Sequence, residues 1–177
     1  MNKQDRYPLS VVLLHWLVAL AIFANLAVGW LLDDATELMD LHRALGVLVL
    51  ALAAARLLNR LLASRRLPAS VNPAGTPQYL AEKAVHGLLY LGMLLVPLLG
   101  WLKTNAAGHE LTLFDSLTLP TLLEKNRELS HLLGLAHSAT AYALAMLIGL
   151  HVAGAIAHRL QGQGDVLRRM LPALRKP

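Results

Sequence analysis

The sequence contains no cysteine, and this absence excludes several classes of site. Disulfides cannot form, iron–sulfur clusters lack their usual ligands, and the C-x-x-C-H attachment of a c-type haem is impossible. Charged residues are also scarce, at 15% of the 177 residues, whereas 56% are hydrophobic. This composition, with a mean hydropathy of +0.50, is typical of a small polytopic membrane protein rather than a soluble domain.

The N-terminus lacks the pattern of a cleavable signal peptide, because its first apolar run is too long and continues to Leu32. Four hydrophobic segments are long enough to cross a bilayer. They span about residues 9–32, 41–62, 80–102 and 132–157. No linker divides them, so the sequence predicts one domain over residues 1–177, an all-α integral membrane four-helix bundle.

The distribution of positive charge predicts the orientation of this bundle, because cytoplasmic loops carry an excess of Lys and Arg. Of the 16 Lys and Arg residues, twelve fall on the side that holds both termini, which we therefore expect to be cytoplasmic. The opposite side has eight carboxylates against four basic residues, a net of −4, and its basic residues are Arg43, Lys103, Lys125 and Arg127. Its first loop is acidic, with Asp33, Asp34, Glu37 and Asp40.

The high pI, near 9.9, does not indicate a nucleic-acid partner. Leucines separate the basic residues of the tail that begins at Arg159. Such a pattern is typical of a helix that rests on anionic lipid headgroups. The expected partner of this surface is the lipid bilayer.

The fourth segment carries two histidines, His137 and His151, 14 residues apart. In a helix this spacing puts both rings within about 40° of one face and roughly 21 Å apart along the axis. Ionisable groups inside a bilayer are costly and usually mark function. One imidazole near each side of the membrane is the arrangement that two stacked haems require.

Two further histidines lie at matching depths on other segments, His15 at the inner level and His42 at the outer level. A six-coordinate haem takes two axial ligands, and these come from facing helices. The sequence therefore predicts two b haems, ligated by His15 with His151 and by His42 with His137. His86 shares the inner level and is the alternative to His15; otherwise it serves a haem propionate or a quinone. Close approach to a macrocycle or ordinary helix packing explains the glycines at positions 29, 46, 100 and 134.

Two arginines and one more histidine lie near the inner pair. Arg56 and Arg60 are candidate partners of the haem propionates, with positive anchoring at the membrane surface as the alternative. His158 follows His151 by seven residues on the same face. It is either a proton-handling group or part of a solvated helix end.

The remaining histidines and two methionines receive simpler interpretations. His109 and His131 fall in or beside the outer connection and are interpreted as surface residues. Met93 and Met146 are interpreted as core residues rather than axial ligands.

Several motifs along the chain occur together in one family. They are His15-Trp16, His42 at the start of the second helix, R-L-x-x-R-L at Arg56 and Arg60, Pro97-x-x-Gly100, Leu117-Thr118-Leu119-Pro120, Gly149-Leu150-His151, Ala157-His158 and an L-R-R-M-L-P ending. With these motifs the chain resembles the bacterial cytochrome b561 family over nearly its whole length. It resembles more distantly the cytochrome b subunits of membrane hydrogenases.

This resemblance implies a multi-pass protein of the bacterial inner membrane in which the histidines of helices one and two pair with the two on helix four. It implies that electrons enter at the outer haem, cross to the inner haem and reduce ubiquinone with cytoplasmic protons. The donor that it implies is superoxide. Arg43 and Lys103 then either attract this anion to the outer haem or merely mark the membrane interface.

Two other functions remain open from the sequence. In the first, the chain is an electron-transfer subunit that accepts electrons from a partner dehydrogenase or hydrogenase docked on the acidic outer surface. In the second, it is a haem-free structural or transport bundle, which requires the histidines to be incidental.

Overall fold

A computed structural model of the chain describes residues 6–32, 36–113, 116–161 and 166–170. Four long helices dominate it: α1 (Leu9–Leu31), α2 (Met39–Leu62), α3 (Pro77–Ala106) and α4 (Arg127–Leu160). By length and composition, all four can cross a membrane. The predicted four-helix membrane bundle is therefore confirmed. Asp33 and Asp34 of the acidic loop, Leu171 and Pro172 of the C-terminal motif and the residues after them lie outside the described residues.

Helices α3 and α4 extend beyond the apolar segments that predicted them, because polar caps lie outside those segments. The Thr76 hydroxyl accepts a hydrogen bond from the Tyr79 main-chain nitrogen at 3.2 Å, and Pro77 occupies the first helical position. The Asn126 side chain likewise accepts from the Leu129 nitrogen at 3.0 Å. A hydropathy window does not detect these capped first turns.

The helices pack in chain order, so α1 and α4 each pack closely against one neighbouring helix. Close packing joins α1 to α2, α2 to α3 and α3 to α4. In the described part of the chain, neither α1 nor α2 packs closely along α4. All four helices meet in one buried cluster midway along the bundle, which includes Val18, Ile22, Val49, Met93 and Leu144. Below and above this cluster, α4 faces α1 and α2 across wider gaps.

The two methionines differ in their surroundings. Met93 is buried in the shared cluster, as interpreted from the sequence. Met146 is 77% exposed, so its interpretation as a core residue is wrong. It lies on a face of α4 that no other described helix covers, and in a membrane helix such a face contacts lipid.

The outer connection between α3 and α4 contains a hairpin of two short antiparallel strands, β1 (Leu111–Leu113) and β2 (Leu117–Leu119). Asn105, at 1% exposure, anchors this connection: its amide nitrogen donates to the His109 carbonyl at 3.1 Å and its oxygen accepts from the Leu122 nitrogen at 2.9 Å. Gly108 has a φ of +89° just after α3, a left-handed conformation that favours glycine at a helix end.

A short helix, α5 (Val166–Met170), follows α4 and returns to the inner end of the bundle. The Trp16 indole nitrogen donates to the Met170 carbonyl at 2.6 Å. Arg169 donates to the Ala69 carbonyl of the loop between α2 and α3 at 3.2 Å. The described part of the tail therefore lies beside His15, the neighbour of Trp16.

Candidate functional site

His42 of α2 and His137 of α4 face each other at the outer end of the bundle, across the gap between these helices. Their ring centres are 6.1 Å apart and the rings are inclined at 87°. Two metal–imidazole bonds of about 2 Å, each extended by roughly 1 Å from nitrogen to ring centre, place such centres about 6 Å apart. The spacing of this outer pair therefore fits a haem iron held between the two rings.

The ring nitrogens of the outer pair have partners that orient them. His137 places Nδ1 2.9 Å from the main-chain oxygen of Val96, which can only accept. Nδ1 therefore carries the proton, and Nε2 keeps the lone pair that a metal needs. His42 meets the side chain of Asn25 from α1. Nothing in the sequence analysis identified Asn25, although it interrupts an otherwise apolar segment.

Two glycines give the outer rings their space. A Cβ atom on Gly29 would lie 3.1 Å from Cε1 of His42, and one on Gly100 would lie 3.2 Å from Cε1 of His137. Both distances are shorter than ordinary carbon contacts of about 3.5–4.0 Å, so a side chain at either position would push a ring aside. At these two positions the glycines serve the histidine pair as well as helix packing.

A cavity of about 480 Å³ surrounds the outer pair, a size typical of small-molecule and cofactor sites. Arg43, Lys103 and His109 line it, and no Asp or Glu does so among the described residues. Trp30, Trp101 and Tyr142 add aromatic surface. The charged residues among the described lining, Arg43 and Lys103, are therefore both positive, although the outer connections as a whole carry a net negative charge.

His109 lies at the protein surface and at the edge of the outer cavity. It is exposed, as the sequence analysis expected, and it also lines the outer cavity. The Asn105 contact to its carbonyl fixes its main chain there. His131 is exposed near the start of α4, as interpreted.

The inner end holds a second pair, His15 of α1 and His151 of α4. Their ring centres are 6.3 Å apart with an inclination of 59°, which again fits an iron between two rings. His86 lies closer to His151, at 5.0 Å between ring centres. That separation is too short for an interposed metal without movement of a ring. The distances therefore favour the pair His15 and His151 over His86 and His151.

The hydrogen bonds at the inner level complicate this choice. His86 places Nδ1 2.7 Å from the Glu82 carbonyl oxygen, so Nδ1 carries its proton. The Arg56 guanidinium lies 2.9 Å from Nδ1 of His15, and because arginine only donates, the His15 proton is on Nε2 in this arrangement. To ligate iron through Nε2, His15 would have to carry this proton on Nδ1 instead, and the Arg56 guanidinium would have to turn away from Nδ1.

Arg56 is a half-buried cation whose described partners carry no negative charge. It contacts His15, lies 3.8 Å from the sulfur of Met93 and stands 5.1 Å from the Tyr90 ring centre. No described carboxylate forms an ion pair with it. Buried charges usually have a countercharge. A haem propionate beside His15 would supply it, so the residues at this level fit the group.

Three polar groups form the inner margin of the bundle. Burial raises the pKa of the Tyr7 phenol and Arg60 opposes this effect, so the phenol stays protonated at neutral pH. Arg60 therefore lies near Tyr7, and it has no hydrogen bond or ion pair to another described residue. Nδ1 of His158 is buried without a hydrogen-bond partner in the described part of the chain.

Comparisons with known proteins match this architecture. A family model described as prokaryotic cytochrome b561 matches residues 6–173. Cytochrome b561 homolog 2 of Escherichia coli (strain K12) is 26% identical over 178 residues, which cover 96% of this chain and 93% of the relative. Cytochrome b561 homolog 1 of the same organism is 25% identical over 177 residues, which cover 95% and 98%.

Proposed function

Because the chain belongs to the prokaryotic cytochrome b561 family and is a haem b-binding electron-transfer protein of a bacterial membrane, we propose that it carries electrons from superoxide to ubiquinone across the inner membrane. The two histidine pairs would hold one b haem each. Both termini would lie in the cytoplasm, as the distribution of Lys and Arg predicts. The outer pair, His42 and His137, then faces the periplasm.

The observation that carries this proposal is the presence of two equivalent pairs, with ring centres 6.1 Å and 6.3 Å apart, at the two ends of one bundle. Bound haem b supplies reversible one-electron carriage. The chain contributes ligands from three helices and the glycines that face the outer rings. It also contributes an apolar cluster between the two levels, which excludes water.

Superoxide suits the outer cavity because the charged residues that line it, Arg43 and Lys103, are positive. Arg43 forms a salt bridge with Asp40 at 3.1 Å, but that carboxylate is largely exposed and does not line the cavity. Lys103 and His109 have no described carboxylate partner. Two superoxide ions would each lose one electron and leave as O₂. One ubiquinone would take up these two electrons together with two protons from the cytoplasmic side.

Stopped-flow reduction of the haems by superoxide, with ubiquinone in oriented proteoliposomes, tests this function. We expect reduction that superoxide dismutase abolishes. Lys103→Glu should slow it about tenfold at low salt, because a charged cleft raises the on-rate of an anion by 10-fold or more. The difference should shrink as salt rises above about 0.1 M.

Arg127→Glu is the matched control, because Arg127 is exposed at the start of α4 and does not line the cavity. It changes the charge of the outer face equally and should leave the rate nearly unchanged. Haem reduction no faster with superoxide than in the dismutase control would reject superoxide as the donor. Equal effects of both variants would reject steering by the cavity.

An electron-transfer subunit is the second candidate function. The outer connections carry a net negative charge and expose Leu117 and Leu122, so a partner with a basic docking face would fit this surface. A dehydrogenase or hydrogenase bound there would replace superoxide as the donor. Co-purification of a redox enzyme from mild detergent, together with the absence of a superoxide reaction, would favour this function.

Ubiquinone reduction is assigned to the inner end, near His86 and His158. Nδ1 of His158 is a buried atom without a described hydrogen-bond partner, so a quinone oxygen that reached it would satisfy it, and histidine exchanges protons near neutral pH. We expect His158→Ala to slow ubiquinone reduction by about 10²-fold, the usual contribution of a positioned acid or base. Both haems should remain bound and reducible by dithionite.

His131→Ala is the control for this experiment, since His131 is an exposed histidine at the opposite end of α4. It should leave quinone kinetics unchanged. Unaltered kinetics in both the His86→Ala and His158→Ala variants would place the quinone site elsewhere.

A further inference from the structure

Asn25 of α1 lies against the outer ligand candidate His42. With its nitrogen turned toward His42, the Asn25 amide donates to Nδ1 at 2.9 Å and to the His42 main-chain oxygen at 3.0 Å. Its oxygen accepts from the Gly46 nitrogen at 3.3 Å in the same orientation. Asn25 lines the outer cavity together with both residues. A polar side chain in the middle of an apolar helix thus has one histidine as its principal partner.

This orientation of the amide corresponds to a ring without metal. If Nδ1 of His42 accepts a hydrogen bond, the ring proton is on Nε2, and Nε2 has no lone pair for iron. A histidine that ligates a metal through Nε2 instead donates its Nδ1 proton to a nearby acceptor. In that form the Nδ1 proton of His42 needs an oxygen acceptor. The main chain of Asn25 already hydrogen-bonds the ring, and an oxygen at the position that the Asn25 amide nitrogen occupies would add a second, closer acceptor.

An asparagine can meet both requirements because its amide carries a donor and an acceptor at similar distances from the last rotatable bond. A half-turn of the Asn25 amide places the oxygen opposite Nδ1. The amide oxygen then also lies about 3.0 Å from the His42 carbonyl oxygen and the amide nitrogen faces the Gly46 nitrogen, so neither main-chain group hydrogen-bonds the amide. They are four residues apart in α2, so the helical hydrogen bond between them still satisfies both groups.

We propose that Asn25 is a positioning residue for the outer haem, whose side-chain oxygen accepts the Nδ1 proton of His42 and thereby sets the basicity of this axial ligand. The proposal rests on His42 being an axial ligand, as in the proposed function. The other outer ligand, His137, donates to a main-chain oxygen, which side-chain substitution does not remove. Of the two outer histidines, His42 is therefore the one with a side-chain hydrogen-bond partner, the Asn25 amide, in addition to the Asn25 main chain.

A purely structural role for Asn25 makes a different prediction. Polar side chains in membrane helices often hydrogen-bond neighbouring helices and contribute about 0.6 kcal/mol on average. In that case its replacement would change the stability of the α1–α2 contact. It would not change the reduction potential of one haem selectively.

Redox titration of the haem-loaded protein, with the two haems resolved spectroscopically, tests the proposal. Asn25→Leu removes the acceptor without changing the charge. The less basic ligand should then stabilise the oxidised iron less, so the midpoint potential of the outer haem should rise. The potential of the inner haem should not change. If the Leu variant does not accumulate with both haems, Asn25→Ala gives the same comparison.

Asn25→Asp keeps an acceptor and should lower the outer midpoint potential. Ser138→Asp is the matched control for charge, because Ser138 lines the same cavity and has no described hydrogen bond to His42. The shift in Asn25→Asp should exceed that in Ser138→Asp. An unchanged or lowered outer potential in Asn25→Leu would overturn the proposal. Because no superoxide or quinone is used, this result does not depend on the identity of either substrate.

Discussion

Replacing His42 or His137 with alanine is expected to remove one of two b haems from the chain and to leave the other bound. Each ring would provide one of two axial bonds at the outer level, and the 6.1 Å between ring centres leaves room for one iron between them. The inner level lies roughly 21 Å away along α4, so its ligands should be unaffected. Haem content per chain, measured after purification, should fall from two to one.

The inner level requires a comparison of His15, His86 and His151. His15→Ala and His151→Ala should each remove the inner haem, whereas His86→Ala should retain both haems. The 5.0 Å between the rings of His86 and His151 is the reason for this expectation. Loss of a haem in His86→Ala, with both haems retained in His15→Ala, would reverse the assignment. Retention of both haems in His42→Ala or His137→Ala would reject the outer pair.

Replacing Arg56 with leucine is expected to weaken binding of the inner haem by about 10–100-fold, the usual effect of losing an outer-shell partner. Arg56 is half-buried beside His15, and its described partners are neutral. A propionate would complete an ion pair there, and breaking a buried pair is strongly destabilising. Arg56→Lys keeps the charge and should therefore retain most of the affinity. The remaining loss would reflect the missing bidentate geometry.

Arg60→Leu is the control for Arg56. Arg60 lies one turn further along α2 at the inner margin and has no described hydrogen bond or ion pair. Its replacement should change haem retention little, which corresponds to a role in surface anchoring. The measurement is the rate of haem loss to an excess of haem-binding acceptor protein, followed for each haem by its spectrum. Equal rates in wild type and Arg56→Leu would exclude a propionate contact of Arg56.

Hydropathy and charge predicted the membrane helices but not their ends. The apolar part of each helix is a run of consecutive hydrophobic residues, so a sliding hydropathy average detects it. The first turns of α3 and α4 depend on Thr76 and Asn126, single polar caps that a hydropathy average obscures. The hairpin has a visible signal, the repeated Leu-Thr-Leu of residues 111–113 and 117–119, but three-residue strands carry too little periodicity to stand out.

The candidate site was predictable where it depends on helical spacing. The 14-residue interval on α4 and the positions of His15 and His42 within their own segments predict two matched depths, and the structure brings both pairs to ring distances near 6 Å. The environment of each ring depends on helix rotation, which spacing within one helix does not determine. For this reason the sequence analysis did not identify Asn25, which faces His42 of the neighbouring helix. It also placed Met146 in the core, although this side chain is exposed.

The weak packing of α4 against α1 and α2 has a consequence for what the haems would hold together. The chain contains two helical hairpins, α1–α2 and α3–α4, each packed within itself and joined along α2 and α3. His15 and His42 belong to the first hairpin, whereas His137 and His151 belong to the second. Each haem would therefore clamp one hairpin to the other. Loss of haem would then remove two links between the hairpins and leave the α2–α3 contact and the shared buried cluster to hold them together.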